Sequence, residues 1–277
     1  MSVVGPVLVD GRPVAPEEAC IGVFDVGFQR GYGCFEAMRA YGGRIFRRDE
    51  HLERLARSAA ALDLPLPDRA VLADWCDRTA AAGDVVVRLF VSGGTDPHRP
   101  GTDGRIVVYA EAVPEVPDVL RLDPRPAPWH PDGTRSELTG AKVLSYGHHL
   151  AATLAARRRG FDDALLVGRS GAVLEGPTFS IGWITGPRIS TPSLDLGILA
   201  SITRSAVLEV APRVGFEVVE VVAGLEAVED ADEVFVMSTV KEVRGVVAVG
   251  ETSFAPGPGT RRLAAAFGEL VAAETGR

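Results

Sequence analysis

Along the first third of the chain, short stretches of alternating apolar and polar residues give way to the longer helical period. Val7-Leu8-Val9, then Asp10-Gly11, then Val14 predict strand, turn and strand. Residues 34–41 and 44–46 flank Gly42-Gly43 and predict a hairpin. Leu52, Leu55, Ala59 and Leu62 recur on one helical face with Asp49 near its start, and Asp68 is placed to cap a second helix running to about Ala82. The apolar runs 85–91 and 106–113 predict strands separated by a Gly/Pro/Asp-rich loop at 92–104.

The second half alternates differently. A helix is expected over 146–159, with Leu150, Leu154 and the alanines as its apolar face. Strands are expected at 163–167, 180–185, 216–222 and 233–238, a helix from Ser201, and a last helix over 260–274. Pro114 and Pro117 fall within six residues and read as a linker. The expected organisation is a small N-terminal domain, 1–113, a linker, 114–118, and a larger domain, 119–277, in an α+β fold with short helices around a largely β second core.

Composition acts by exclusion. The 277 residues suffice for two domains or one large one, and 46% hydrophobic with 24% charged residues is the balance of a soluble globular protein. A formal net charge of −8 argues against nucleic acid as a partner. Charged residues interrupt every apolar run before membrane-spanning length, and the N-terminus lacks the pattern of a signal peptide. The three cysteines, Cys20, Cys34 and Cys76, are odd in number and fit no metal spacing, so neither a metal site nor a disulfide scaffold is expected, and a cytoplasmic location is.

One compositional feature points toward chemistry. Of 29 basic residues, only Lys142 and Lys241 are lysines. Arginine serves wherever a plain positive charge suffices, so a retained lysine is a position that can need an amine, because a guanidinium forms no imine with an aldehyde. Survival at the surface by chance is the competing reading for either one.

Several segments carry polar groups in an order that suits an aldehyde-bearing pyridine phosphate. Such a cofactor needs an amine, an acid beside its ring nitrogen, and donors for a phosphate. Lys142 lies in Thr139-Gly140-Ala141-Lys142-Val143-Leu144-Ser145-Tyr146, Glu175 precedes Gly176-Pro177, Ser201-Ile202-Thr203 opens a helix, and Ser238-Thr239 ends a strand. Singly, each has a plain structural role available: turn carboxylate, helix cap or strand-end hydroxyl.

Together with the 25–36 segment (Asp25 through Arg30-Gly31-Tyr32-Gly33 to Glu36) and His51-Leu52-Glu53-Arg54-Leu55, these blocks resemble the class IV aminotransferases, the fold-type IV pyridoxal 5′-phosphate (PLP) enzymes. That group includes D-amino acid transaminases, branched-chain aminotransferases, (R)-amine transaminases and aminodeoxychorismate lyases. The resemblance implies a small α/β-sandwich N-terminal domain, a larger mixed α/β barrel-like C-terminal domain, and a homodimer. It implies PLP bonded to Lys142 and Glu175 at the pyridine nitrogen. It places Arg54, Ser201, Ile202, Thr203, Ser238 and Thr239 toward the phosphate, Tyr146 near the cofactor hydroxyl, and Leu199 on the ring. The chain departs from the family at Ser145, at Thr178-Phe179-Ser180 and at Ala200-Ser201, where Asn, Asn and Pro-Gly are common.

Arg30-Gly31-Tyr32-Gly33 resembles an atypical branch of D-amino acid transaminases in which this arginine binds the substrate α-carboxylate. Arg88 sits in an apolar strand, where a charge is costly unless paired. A substrate carboxylate would satisfy it, and so would Glu36 or Glu111. Tyr32 and Val240 complete the expected substrate contacts. The expected reaction moves an amino group from a D-amino acid, with (R)-primary amines as further donors, to a 2-oxo acid. The branched-chain L-amino acid aminotransferase and the aminodeoxychorismate lyase are the alternatives, and a protein that binds PLP without turnover is a third.

Overall fold

The computed structural model describes residues 2–277. They divide into two compact units, residues 2–115 with 140–146 and 271–277, and residues 116–139 with 147–270. The first division falls after Glu115, and two segments from farther along the chain, 140–146 and 271–277, join the first unit. Gly140–Tyr146, which contains Lys142, belongs to the first unit because its backbone pairs there.

The first unit is built on β1 (Val3–Val9), β2 (Arg12–Val14), α1 (Val26–Arg30), β3 (Gly33–Tyr41), β4 (Arg44–Ile45), α2 (Arg48–Ala60), α3 (Arg69–Ala80), β5 (Val85–Ser92) and β6 (Ile106–Ala112). Its six strands form one antiparallel sheet in the order β2-β1-β6-β5-β3-β4. Side chains alternate between the two faces of a sheet. Cys34, Met38 and Ala40 of β3, with Val85, Val87 and Leu89 of β5, join Leu52, Leu55, Leu72 and Cys76 of the two helices in one buried core. Asp68 stands at the head of α3 but its side chain caps no amide. The expected strands and helices of this unit are present, and α1, five residues long, is the addition.

The second unit contains β7 (Val119–Pro126), α4 (Gly147–Arg158), β8 (Asp163–Val167), β9 (Ser180–Thr185), β10 (Arg188–Pro192), α5 (Ile202–Val210), β11 (Glu217–Val221), α6 (Leu225–Glu229), β12 (Glu233–Ser238), β13 (Glu242–Val249), β14 (Thr252–Ser253) and most of α7 (Pro258–Thr275). Its sheet runs β11-β10-β9-β12-β13-β7-β8 and mixes parallel with antiparallel pairs. The Glu233 carboxylate is buried where β12 begins, and accepts the amides of Gly259 and Thr260 at the start of α7 at 2.8 and 2.7 Å. α4 corrects the expected face: Leu150 and Leu154 are exposed, and Ala152, Thr153 and Ala156 are buried. Thr153 faces inward to donate to Asp163 on β8 at 2.7 Å.

The most consequential polar contact in the first unit lies beneath the sheet. Glu36 on β3 is fully buried, and its carboxylate accepts Nε and Nη2 of Arg54 at 2.7 and 2.8 Å and meets His51 Nδ1 at 2.8 Å. Burial alone would raise the Glu36 carboxyl. The Arg54 charge and the hydrogen bonds from Arg54 and His51 outweigh it and hold the group well below the usual carboxylate range. Burial lowers the His51 imidazole, and the neighbouring Arg54 and Lys142 charges add to that against the pull of Glu36. Both groups therefore bind fewer protons folded than unfolded, so stability falls as pH falls. The His51 contribution is lost below about pH 6.5 and the Glu36 contribution below about pH 4.3, their unfolded values. Urea unfolding followed from pH 7 to pH 3 is expected to show a midpoint that declines through both windows. Glu36→Ala strands Arg54 without its counter-ion and is expected to cost about 3–5 kcal/mol at pH 7 in the same measurement.

Candidate active site

In the first unit the site is built around Lys142. Its amide donates to Ser58 Oγ on α2 at 3.0 Å, and its carbonyl accepts the Phe35 amide at 3.0 Å. Leu144 N donates to Gly33 O at 2.9 Å, and Cys34 and Val143 form an antiparallel bridge. Residues 142–144 thus extend the sheet along the first part of β3. Gly33 permits this approach: a Cβ there would stand 2.4 Å from Val91 O and 2.6 Å from Leu144 Cδ1.

With its backbone fixed on both sides, Lys142 carries its half-buried amine over aromatic surface. Nζ lies 4.3 Å from the Phe35 ring centre and 3.4 Å from the Tyr146 hydroxyl, and the two rings meet edge to face at 5.3 Å. Tyr146, expected near the cofactor hydroxyl, lies beside the amine. Arg54, expected toward the phosphate, is held by Glu36 on the same helix that supplies Ser58. Tyr32 donates its hydroxyl to Leu62 O at 3.1 Å and packs its ring on the core. Arg30 ends α1, exposed, and is followed by Gly31 in the left-handed conformation, φ 67°. A Cβ on Gly31 would lie 2.9 Å from Ser145 Cα, so the α1 terminus abuts the Lys142 segment.

Arg88 has found one of its two suggested partners. Its Nε donates to Glu111 Oε1 at 2.7 Å and Nη2 lies 2.5 Å from the same oxygen. Glu36, the other, is committed to Arg54. Of the groups that could satisfy Arg88, the buried Glu111 is the one that does so within the chain.

In the second unit the remaining groups gather from three turns. The Glu175 carbonyl accepts the Leu166 amide of β8 at 2.9 Å, and its carboxylate accepts the Leu199 amide at 3.2 Å, so the acid and the expected ring-packing leucine are neighbours. Ser201 caps α5 by accepting Arg204 N at 3.2 Å. Its hydroxyl does the plain capping job, and the amides of Ile202 and Thr203 remain outside the helix's own bonding. Ser238 Oγ accepts Lys241 N at 3.0 Å and closes the turn after β12 that holds Thr239 and Val240. Lys241 donates to Thr178 Oγ1 at 2.9 Å and lies 3.9 Å from Asp163 Oδ2. Burial lowers its pKa, and the Asp163 charge opposes.

Sequence reasoning missed Ser58 and the Phe35 ring. His51, Arg54 and Ser58 lie at i, i+3 and i+7 of α2, a spacing that marks one helix face. No group of three or more His, Cys, Asp or Glu side chains among the described residues could hold a metal. An amine clamped by its backbone, a carboxylate fixed by an amide, and two helix-start amides beside hydroxyls are the donor set that a pyridine aldehyde phosphate requires, and in chemistry it fits.

The model of the amino-transferase class IV family matches residues 33–249. The aminodeoxychorismate lyase of Bacillus subtilis is 30% identical over 263 residues, covering 90% of this chain and 88% of its own. The D-alanine aminotransferase of Bacillus licheniformis is 29% identical over 285 residues, covering 98% and 99%. The structure of the T.th. branched-chain amino acid aminotransferase with pyridoxamine 5′-phosphate superposes with a TM-score of 0.89 at 26% identity, over 98% of this chain and 95% of that one. With the fold, the donor set and the family match in agreement, the chain belongs to the class IV aminotransferases, enzymes that use PLP.

Proposed function

We propose that the protein transfers an amino group from a D-amino acid to a 2-oxo acid, as a homodimer in the cytoplasm, with (R)-primary amines as further donors. The observation that carries the donor assignment is the α1 terminus. Arg30 is an exposed guanidinium, and the glycine after it rests on the backbone three residues from Lys142. A guanidinium there can pair with the α-carboxylate of a substrate whose amine is at Lys142. The end-to-end match to a D-alanine aminotransferase supports the same reading.

When bound, PLP supplies an aldehyde carbon that captures amines and a ring that withdraws electrons from the substrate α-carbon. The chain's own residues do the rest. Lys142 supplies the capturing amine and then moves a proton at the α-carbon, with its backbone held by Ser58 and β3 so that only the side chain swings. The Tyr146 hydroxyl orients the amine. Glu175, steadied by Leu199 N, would hold the proton on the ring nitrogen. The Ile202 and Thr203 amides and the Thr203 and Thr239 hydroxyls would take the phosphate, Ser238 shaping the turn and Val240 following it.

The dimer reading is supported by the surface. Ile21, Val23, Phe24 and Phe28 are exposed, with Phe24 75% and Phe28 72% accessible, in one stretch leading into α1. Large apolar side chains grouped in this way mark an association surface, and a second copy of the chain is the occupant proposed. The reducing environment suits Cys34 and Cys76, whose thiols burial pushes up to about 12.

Lys142→Ala is expected to abolish the yellow band of the bound cofactor and turnover, while Lys241→Ala keeps the band; the reverse would move the reactive lysine. In a half-reaction without acceptor, D-alanine is expected to bleach the band and L-leucine to leave it. Bleaching by L-leucine alone would make this a branched-chain enzyme, and pyruvate release from aminodeoxychorismate a lyase. Arg30→Ala is expected to raise KM for D-alanine at least tenfold and to leave KM for (R)-phenylethylamine within about threefold, each tenfold being about 1.4 kcal/mol. Phe24→Asp with Phe28→Asp is expected to convert a dimer to a monomer in sedimentation velocity; a wild type that sediments as a monomer would remove the dimer from the proposal.

A further inference from the structure

The sheet face that carries Phe35 is the one turned away from α2 and α3. Strand register sorts it into rows. Phe35, Phe90 and Val107 form the first, Ala37, Arg88 and Tyr109 the second, and Arg39, Val86 and Glu111 the third, with successive rows about 7 Å apart along the strands. The Lys142 amine stands over the first row, at Phe35. From there Phe35, Phe90 and Tyr109 stack in sequence, with ring centres 5.6 and 6.0 Å apart and planes within 11° of parallel. All three rings are half-exposed.

Arg88 lies in the second row and could reach toward either neighbour. Both of its bonds go to the third row, to Glu111 Oε1. The Glu111 carboxylate is buried, its other oxygen has no partner among the described residues, and this guanidinium is the cation paired with it. Arg39, in the third row, turns its guanidinium over the Tyr41 ring. Arg88 is thus drawn away from the Lys142 end and paired with Glu111. What remains beside the reactive amine is an aromatic platform on which Arg88 is not offered to a second carboxylate.

We propose that Glu111 is a specificity-determining residue that withholds Arg88 from substrate. The enzyme thereby selects amino donors whose side chain is aromatic or bulky and apolar, laid on Phe35, Phe90 and Tyr109, over donors with an acidic side chain. The inference rests on the transaminase reading but not on the hand of the donor.

The test is the half-reaction of the PLP-loaded enzyme with phenylalanine and glutamate of whichever hand bleaches the cofactor band. The wild type is expected to favour phenylalanine in kcat/KM at least tenfold. Glu111→Gln keeps the shape and removes the charge, and is expected to shift the glutamate-to-phenylalanine ratio toward glutamate at least tenfold. Adding Arg88→Met to it should cancel that shift. A wild type that prefers glutamate, or a folded Glu111→Gln enzyme with an unchanged ratio, overturns the inference and leaves the transaminase intact. If Glu111→Gln does not fold, Phe90→Ser decides: the phenylalanine-to-alanine ratio is expected to fall at least fivefold, and no change overturns the platform. A wild type bleached by no amino donor overturns the transaminase reading, and this inference with it.

Discussion

The first unit depends on one enclosed carboxylate. The alternation of β3 points Glu36 at the helices, where a charge survives only if every oxygen is answered. Arg54 and His51 answer from successive turns of α2, so the helix can take only one position against the strand. One turn further along the same helix stands Ser58, and its hydroxyl receives the amide of Lys142. A buried ion pair of this kind adds less stability than its Coulomb attraction suggests, because desolvation offsets it. Its contribution is registry: it sets where α2 lies, and α2 sets where the Lys142 backbone lies.

The other side of that clamp is made by backbone alone, and it needs the absence of a side chain. Residues 142–144 pair with 33–35 close enough that a Cβ at position 33 would stand 2.6 Å from Leu144 Cδ1, as well as 2.4 Å from Val91 O of β5. The lysine is therefore held by a hydroxyl from a helix and a ladder from a strand, neither of which involves its own side chain. This division lets the side chain move while its anchor does not, which the proposed proton-carrying role requires. The second unit follows the same pattern with different parts. The Leu199 amide fixes the Glu175 carboxylate and Ser201 caps α5, so neither the acid nor the helix start has to find its place.

Most elements of the first unit were legible because their periods are clean: strands with one face on a core, helices with apolar residues at helical spacing. β7 was not, since Pro124, Pro126 and three charged residues break its pattern, and its partners β8 and β13 are parallel neighbours supplied from far along the chain. β13 hid behind Arg244-Gly245. In α4 the period was right and the phase wrong, because bulk suggested the leucine face and the need of Asp163 for Thr153 decided for the alanine face. Lys142, Glu175 and the Ser201 helix start could be picked out by residue type and order. Ser58 and Phe35 could not, since each meets Lys142 only through long-range pairing, and Arg88 could be known to need a partner without the sequence choosing Glu111 over Glu36.

The scarcity of lysine takes on a sharper meaning in the folded chain. Arg54 and Arg204 are buried, and each uses several edges of a planar fork: Arg54 on two oxygens of Glu36, Arg204 on Thr191, the Pro192 carbonyl and Glu220. A point-like ammonium could not serve those sites as well. Both retained lysines are likewise withdrawn from solvent, so retention alone does not tell them apart. Their surroundings differ less than their anchoring. Lys241 meets the Asp163 carboxylate, the Thr178 hydroxyl and the Phe179 ring, and burial lowers its pKa against the Asp163 charge. Lys142 faces two aromatic rings and a phenol, on a backbone held by the Ser58 hydroxyl and by the ladder to β3. That two-sided hold on its backbone is what sets Lys142 apart, and the proposal that it supplies the reacting amine rests on it together with the resemblance.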